Sequence, residues 1–274
     1  MQNIYTFGGQ PARRNWTVAD LRAVKGKQVL TEVSAYTPAE AAAAEAAGID
    51  VIATDCPLTA DVRKGASETF VCAAPGLTNY RSDEAVIEAA FEALHDGADS
   101  VYCLHSLALI EKLAGYNMPV MGHLGLVPRH STWIGGLRAY GKTAEEAMEL
   151  YRGLRQLEDA GAFAVEIECV PTEVLAALSP RTSLITFSIG AGSGGDVQYL
   201  FMEDICGENE TQPRHAKTYT NLRAMRAEIE AERIRALQAW KADVTAGAYP
   251  SPETSISMPA EELDKFHNAL EQQG

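Results

Sequence analysis

Eight short apolar segments, most of them separated by helical patterns, constrain the fold of this chain more than any other feature. Val, Ile, Ala, Leu and Phe dominate them, and several break into Gly, Pro, His or Glu at their C-terminal ends. This pattern is typical of buried parallel strands that carry polar side chains to one end of a sheet. The segments are residues 29–34, 50–53, 69–73, 100–104, 118–122, 163–168, 184–187 and 197–202.

Helical segments are predicted between most of these strands, and Gly or a capping Ser or Thr marks several of their ends. Strands and helices that alternate along 274 residues favour an α/β fold, a (β/α)8 TIM barrel. A doubly wound open sheet is the alternative, but it more often has a Gly-rich turn after its first strand. We expect one barrel domain over residues 1–274 that ends in a helical tail. The predicted helices cover residues 38–47, 83–94, 107–114, 144–160 and 220–246.

The charge and cysteine content narrow the class of protein. Subtracting 37 acidic from 23 basic residues gives a net charge of −14, which disfavours nucleic acid and anionic membranes as partners. No apolar run is long enough for a membrane span, and residues 1–14 lack the apolar core of a signal peptide. The five cysteines are widely spaced and form no C-x-x-C motif. We therefore expect a cytoplasmic protein without disulfides or a membrane partner.

The strand that ends at Glu168 carries the first candidate site residues. Glu166 and Glu168 are two residues apart, so they share one face of the strand at a spacing of about 7 Å. If that face is the barrel lumen, one carboxylate can take a proton from a carbon acid while the other holds a metal ion or water. The plain alternative is that each carboxylate pairs with a neighbouring Arg or Lys.

Two further candidates follow other predicted strands. His123 lies in G-H-L-G, where the glycines indicate a close backbone approach. A hydrogen-bonded core histidine is the alternative there. Asp55 follows the segment D-V-I-A-T and suits a hard cation such as Mg²⁺. It would otherwise cap the next turn.

The remaining strand ends give weaker signals. Cys56, Cys72, Cys103 and His105 lack the spacing of a zinc site, so buried thiols are the favoured interpretation for the cysteines. The Gly-rich run 190–196, which includes Gly190 and Gly192, can cradle an anion with backbone N–H groups or simply make room for a substrate.

Several of these motifs together resemble the ketopantoate hydroxymethyltransferases. The resemblance covers nearly the whole chain. It is carried by G-H-L-G-L-V-P at 122–128, G-A-F-A-x-x-x-E-C-V-P at 161–171 and I-G-A-G-x-x-x-D-x-Q at 189–198.

The resemblance implies a barrel of the phosphoenolpyruvate/pyruvate superfamily type, assembled as a homo-oligomeric decamer. It also implies transfer of a one-carbon unit from 5,10-methylenetetrahydrofolate to 3-methyl-2-oxobutanoate, a 2-oxo acid, through an enolate that a divalent ion, usually Mg²⁺, stabilises. By resemblance, Glu168 is the general base, His123 is the active-site histidine and Asp55 is a metal ligand.

This sequence departs from the family pattern at the metal and substrate positions. Cys56 stands where the family has Ser, and Ala73 where it has a second metal-binding Asp. Tyr102 and Leu104 replace a lysine that binds the substrate carboxylate and a glutamate near the metal. A metal site built on Asp55 therefore needs another ligand, and we expect Glu166 to supply it. Arg129 and Arg138 are candidates to replace the lysine.

Three hypotheses follow from the sequence. The first is an enzyme that makes or breaks a C–C bond next to a carbonyl, with hydroxymethyl transfer as its parent reaction and a retro-aldol lyase on a different carbonyl compound as its variant. The second is an enzyme without a metal, in which Tyr102, His105 and His123 polarise the carbonyl. Cys56 is a less favoured candidate for a nucleophile in that enzyme. The third is a ligand-binding homologue without activity. The predicted substrate-binding residues are Cys56, Tyr102, His105, Arg129, Gly190 and Gly192.

Overall fold

A computed structural model describes residues 1–76 and 78–273 of the chain. Contacts divide the chain into two compact units, Met1–Thr220 and Asn221–Gly274. The C-terminal segment forms a compact unit of its own. The expectation of one domain over residues 1–274 stays a prediction. Among the described helices, none has the length and apolar character needed to cross a bilayer.

The first unit contains a short hairpin and a closed barrel of parallel strands. The hairpin strands β1 (Gln2–Tyr5) and β2 (Pro11–Arg14) pair antiparallel. The barrel closes through pairing of its last strand with its first, which confirms the predicted (β/α)8 architecture. Its strands are β3 (Leu30–Ser34), β4 (Val51–Asp55), β5 (Phe70–Ala74), β6 (Ser100–Tyr102), β7 (Val120–Gly125), β8 (Ala164–Glu168), β9 (Ile185–Ile189) and β10 (Val197–Leu200).

Helices follow the barrel strands, and their N-termini are capped as the sequence predicts. The side chains of Thr37, Ser82, Ser106 and Thr143 each accept a backbone N–H at the start of a helix. The helices of this unit are α1 (Val18–Val24), α2 (Pro38–Ala46), α3 (Thr59–Gly65), α4 (Asp83–His95), α5 (Leu107–Gly115), α6 (Ala144–Asp159), α7 (Thr172–Leu178) and α8 (Met202–Cys206). The second unit contains α9 (Leu222–Ala246) and α10 (Ala260–Glu271).

Each predicted barrel strand is present, with its ends shifted by a few residues. The sequence interpretation did not include the hairpin, nor the short helices α1, α3, α7 and α8. These elements have at most seven residues each, too few for a clear hydrophobic period.

Inward-facing side chains fill the barrel in layers that the strand register defines. Each layer takes one side chain from every other strand, and neighbouring strands are staggered by about one residue along the barrel axis. His123 lies one layer above Glu166, towards the C-terminal mouth, and Glu168 lies one layer higher. The register places Ala53, Tyr102, Glu166 and Tyr199 in one layer, and Glu32, Cys72, Met121 and Phe187 in the layer below it.

A buried ion cluster lies away from this mouth. Asp99, just before β6, accepts from Arg14 Nε at 2.7 Å and from the backbone N–H of Val71 at 2.9 Å. Arg63 donates to the same carboxylate. The Asp99 side chain is 8% exposed and that of Arg14 is 3% exposed. One carboxylate thus compensates two buried guanidinium groups and ties the hairpin and α3 to the barrel.

We expect Asp99→Ala to lower the free energy of unfolding by about 3–5 kcal/mol, because it leaves two buried cations without their partner. Urea denaturation of the full chain measures the change. Asp61→Ala is the control, since its pair with Lys64 is exposed and worth less than about 1 kcal/mol. Equal losses in the two variants would contradict the prediction.

Candidate active site

Three ionisable side chains meet at the C-terminal mouth of the barrel. His123 on β7 and Glu166 and Glu168 on β8 each offer a ligand atom, and these atoms lie within 4.8 Å of one another. β8 supplies both glutamates because residues two apart on a strand face the same way. Among the described residues, His123 is the ion-pair partner of both glutamates, at 3.3 Å and 3.6 Å. The structure therefore brings together both predicted catalytic residues and one of the two predicted metal ligands.

The Tyr102 hydroxyl joins His123 to Glu166. It lies 2.6 Å from His123 Nδ1 and donates to Glu166 Oε1 at 2.9 Å. On the other side of the imidazole, Nε2 lies 2.8 Å from the carbonyl oxygen of Leu126. A carbonyl oxygen only accepts, so Nε2 carries a proton. Tyr102, which the sequence predicts to bind substrate, belongs to this hydrogen-bonded network.

Burial sets the acid–base properties of the group. Removal from water raises the pKa of Glu168 to about 7, while the charge of His123 lowers it and that of Glu166 raises it. Burial on its own lowers the pKa of His123, but its hydrogen bond and charge interactions with Glu166, together with the charge of Glu168, raise it overall. The mouth thus pairs a carboxyl that changes protonation near neutral pH with an imidazole that favours its charged form.

We expect Glu168→Gln to stabilise the fold at pH 8 by on the order of 1–3 kcal/mol, because the folded protein no longer has to bury that carboxylate. The unfolded chain loses this proton near its ordinary pKa of 4.5, and the folded chain near 7. The wild type therefore loses stability relative to the variant as the pH rises between these values, and the difference disappears below pH 4.5. Denaturation of both proteins from pH 4 to pH 8, in buffer that contains EDTA, measures this difference in the free energy of unfolding. A difference that does not change with pH would contradict this prediction.

The glycines around His123 serve packing within the protein. A Cβ on Gly122 would lie 2.5 Å from the side chain of Leu157 on α6. Gly125 has φ +98°, and a Cβ there would lie 2.2 Å from the backbone oxygen of Glu168. The close backbone approach expected from G-H-L-G is therefore that of the neighbouring strand β8 and helix α6.

Asp55 and Cys56 lie at the end of β4 and outside the group of three. Asp55 is half-buried, and burial raises the pKa of its carboxyl. It is not part of the metal-binding group found among the described residues, so the structure does not pair it with Glu166. Cys56 packs in the core between barrel and helices, where burial raises the pKa of its thiol to about 12. A thiol that stays protonated is a poor nucleophile.

His105 and Arg129 lie on the side of the mouth towards α5 and α6. His105 lines a cavity of about 290 Å³ together with Leu104 and Tyr140, and neither of its ring nitrogens has a hydrogen-bond partner. Burial and the charge of Arg129 lower the pKa of His105. Arg129 is exposed, with Nη2 3.5 Å from the carbonyl oxygen of Leu104. Arg138, the other candidate for the substrate carboxylate, is already paired with Glu146 at 2.7 Å.

The Gly190–Asp196 run connects the C-terminal end of β9 to β10. Gly190 and Gly192 line a cavity of about 470 Å³, and both have positive φ. A Cβ on Gly192 would lie 2.4 Å from Thr172 Oγ1. Asp196 binds Lys25 Nζ at 2.7 Å. Turn geometry and an internal ion pair thus account for part of the run. Gly190 and Gly192 share their cavity with Glu32 and Tyr199 and not with Glu168, and their role in substrate binding stays a prediction.

The sequence interpretation missed one acid that lies inside the barrel. Glu32 on β3 is 1% exposed and sits in the layer directly below Glu166. Its sequence signal is an acid two residues after the inward-facing Leu30 within an apolar strand. Ala73, which stands in the position of a family aspartate, belongs to the outer core, whereas its neighbour Cys72 faces the lumen.

The donor set at the mouth fits a divalent cation in general. Two carboxylates and one imidazole converge, with ligand atoms within 4.8 Å of one another. Imidazole and carboxylate together suit Mn²⁺, Fe²⁺ or Zn²⁺, whereas Mg²⁺ prefers a set of oxygen ligands.

The closed barrel is similar in fold to several solved structures. One is phosphoenolpyruvate phosphomutase from Streptomyces platensis subsp. rosaceus, with a TM-score of 0.51 and 15% identity over 94% of this chain and 97% of that chain. Another is 2,3-dimethylmalate lyase, a member of the phosphoenolpyruvate mutase/isocitrate lyase superfamily, with a TM-score of 0.51 and 13% identity over 87% of this chain and 93% of the other. At these identities the likeness shows the fold.

Sequence comparison identifies the family. The family model for ketopantoate hydroxymethyltransferase matches residues 53–252. The 3-methyl-2-oxobutanoate hydroxymethyltransferase of Kosmotoga olearia is 36% identical over 255 residues, which are 84% of this chain and 93% of that protein. The enzyme of the same name from Thermotoga maritima is 34% identical over 88% of this chain and 96% of its own length. The chain therefore belongs to the ketopantoate hydroxymethyltransferase family, a family of enzymes.

Proposed function

We propose that this protein makes or breaks a C–C bond next to a carbonyl through an enolate, with hydroxymethyl transfer to 3-methyl-2-oxobutanoate as the parent reaction. The observation that carries this proposal is the placement of Glu168. Its side chain is 20% exposed at the barrel mouth and has His123 at 3.6 Å. No Lys or Arg side chain among the described residues forms a salt bridge with it, so the carboxylate is available to a guest molecule.

Glu168 takes the proton from the carbon next to the carbonyl. It lies in the layer nearest the mouth, where a small molecule that enters the lumen meets it first. His123 lies between the two glutamates and offsets part of their charge, so Glu168 can gain and lose a proton without leaving Glu166 without a partner. Tyr102 keeps Glu166 in place through its 2.9 Å hydrogen bond.

A divalent ion, Mg²⁺ in the family, supplies stabilisation of the negative charge on the enolate oxygen when it is bound. Glu166 and His123 lie deeper than Glu168 and are the residues of the group that would hold it, His123 in its neutral form through Nδ1. This division leaves Glu168 for proton transfer. The one-carbon donor 5,10-methylenetetrahydrofolate enters the proposal through the family resemblance alone, as do a decameric assembly and a cytoplasmic location.

The variant reaction, a retro-aldol lyase on a less anionic carbonyl compound, has its own support. None of the eight barrel strands contains Lys or Arg. Tyr102 stands in the place of the family's lysine and carries no charge, since burial and Glu166 raise the pKa of its hydroxyl. An anionic carboxylate that enters this lumen meets acids on several sides, which weakens binding of a 2-oxo acid.

We expect the wild type to exchange the proton on the carbon next to the carbonyl of 3-methyl-2-oxobutanoate for deuterium, and Glu168→Gln to slow the exchange at least about 100-fold. Proton NMR in D2O measures the rate. Glu173→Gln is the matched control, because it makes the same chemical change on the exposed face of α7 and should leave the rate unchanged.

Exchange that persists in Glu168→Gln would refute the role of this residue as base. Exchange on neutral hydroxyketones or aldehydes and none on 2-oxo acids would favour the lyase. Absence of exchange on every carbonyl compound, with and without added divalent ions, would favour the ligand-binding homologue.

A further inference from the structure

The loop that joins β7 to α6 carries two large apolar side chains that the proposed reaction does not use. Trp133 is 88% exposed and Leu137 is 73% exposed. A tryptophan is on average largely buried in a folded protein. Where it lies at the surface it is enriched at binding interfaces, because its flat ring offers a large apolar area and its N–H a hydrogen bond.

Backbone hydrogen bonds tie both ends of this loop to the end of β8. The N–H of Leu126 donates to the carbonyl oxygen of Glu168 at 2.8 Å, and the N–H of Tyr140 donates to that of Cys169 at 3.1 Å. Trp133 lies midway, seven residues from Leu126 and seven from Tyr140. Even a fully extended chain would therefore keep it within about 25 Å of the strand end that carries Glu168.

Tight turns shorten the loop further. The N–H of Trp133 donates to the carbonyl oxygen of His130 at 2.9 Å, and the N–H of Gly136 donates to that of Ser131 at 2.7 Å. Turns of this kind reverse the chain direction within a few residues. The indole is thus presented by a folded loop at the entrance of the barrel.

The backbone next to the indole faces open space. Gly135 and Gly136 have φ of +80° and +124°, and a Cβ on either would contact none of the described residues within 4 Å. Glycine is required at these two positions by the turn and not by close packing. The loop therefore leaves room for a ligand beside Trp133.

The same loop is basic in an acidic protein. The chain has a net charge of −14, but residues 126–143 contain Arg129, Arg138 and Lys142 and no Asp or Glu. Arg138 is paired with Glu146 at 2.7 Å. Arg129 and Lys142 are exposed, so an anion that approaches the mouth meets positive charge at this loop.

We propose that the β7–α6 loop is the docking site of a small molecule that joins a planar heterocycle to a negatively charged tail. The ring stacks on Trp133, since an indole accepts any ring with a π face, and the tail lies near Arg129. The inference deepens the proposed function and rests on it in one respect. The one-carbon donor of that proposal, 5,10-methylenetetrahydrofolate, joins a pteridine to a glutamate tail. Nucleotides share the same two features.

Calorimetric titration of the full-length protein tests the site with one probe for each source. 5-Formyltetrahydrofolate represents the pteridines and AMP the nucleotides. We expect 5-formyltetrahydrofolate to bind, with a Kd that rises at least about fivefold in Trp133→Ala and stays within about threefold of the wild type in Trp133→Phe, which keeps an aromatic ring. Arg129→Ala should raise the Kd more at low salt than at high salt, because salt screens the charge of an exposed guanidinium. Trp240→Ala is the matched control, since it removes a 55% exposed indole from the second unit, and its Kd should equal that of the wild type.

Hydrogen exchange gives a second measurement that needs no variant. Saturating 5-formyltetrahydrofolate should slow backbone N–H exchange at least about threefold in peptides that cover residues 127–139. Peptides from α9 should exchange at the same rate with and without the probe.

Three results would overturn the docking site. The first is a Trp133→Ala variant that binds 5-formyltetrahydrofolate as tightly as the wild type. The second is a wild type that binds neither probe. The third is an assembly whose mass falls in Trp133→Ala while both probes leave residues 127–139 unprotected, which assigns the loop to contact between copies of the chain. Binding of AMP alone, lost in Trp133→Ala, supports the site and assigns it to nucleotides.

The outcome is separable from that of the proposed reaction, because proton exchange next to the carbonyl requires no folate. If 5-formyltetrahydrofolate binds through Trp133 and the wild type exchanges no proton of any carbonyl compound, the docking site stands and the proposed reaction falls. Proton exchange by a wild type that binds neither probe gives the reverse result.

Discussion

The close approach of Glu166 and Glu168 is the constraint on which the rest of the site depends. Residues two apart on a strand face the same way, so β8 directs both carboxyls into the lumen. Their mutual repulsion and burial must be offset locally, and His123 and the Tyr102 hydroxyl do this within hydrogen-bond distance of Glu166. The neighbouring layers therefore serve electrostatic compensation as well as packing.

Replacement of the family's lysine by Tyr102 fits this arrangement. A lysine at this place would pair with Glu166 and neutralise it, whereas the phenol donates one hydrogen bond and leaves the charge in place. At this position the lumen therefore keeps a negative charge that the family's lysine would offset.

The sequence predicted the barrel well because its signals are local. Apolar runs, caps such as Thr143 and glycines at helix ends recur at a spacing that only a few folds accommodate. Glu168 and His123 were predicted because they end such runs, and the structure brings them together. Glu32 was missed because its importance depends on which strands lie across the lumen, a relation that the register of the closed barrel sets. A strand end alone does not show whether the Cys56 side chain faces the lumen or the core between barrel and helices, where the structure places it.

The main chain of Leu126 links His123 to the strand that carries Glu168. Its N–H donates to the backbone oxygen of Glu168 at 2.8 Å, and its own carbonyl accepts from His123 Nε2 at the same distance. The loop that leaves β7 thus begins at a unit that holds both the imidazole and the strand bearing the carboxylate. Insertions and deletions farther along that loop can reshape what enters the barrel, while a displacement of Leu126 would misalign Glu168 and His123 together. New substrate preferences in this protein are thus expected to arise from changes beyond Leu126.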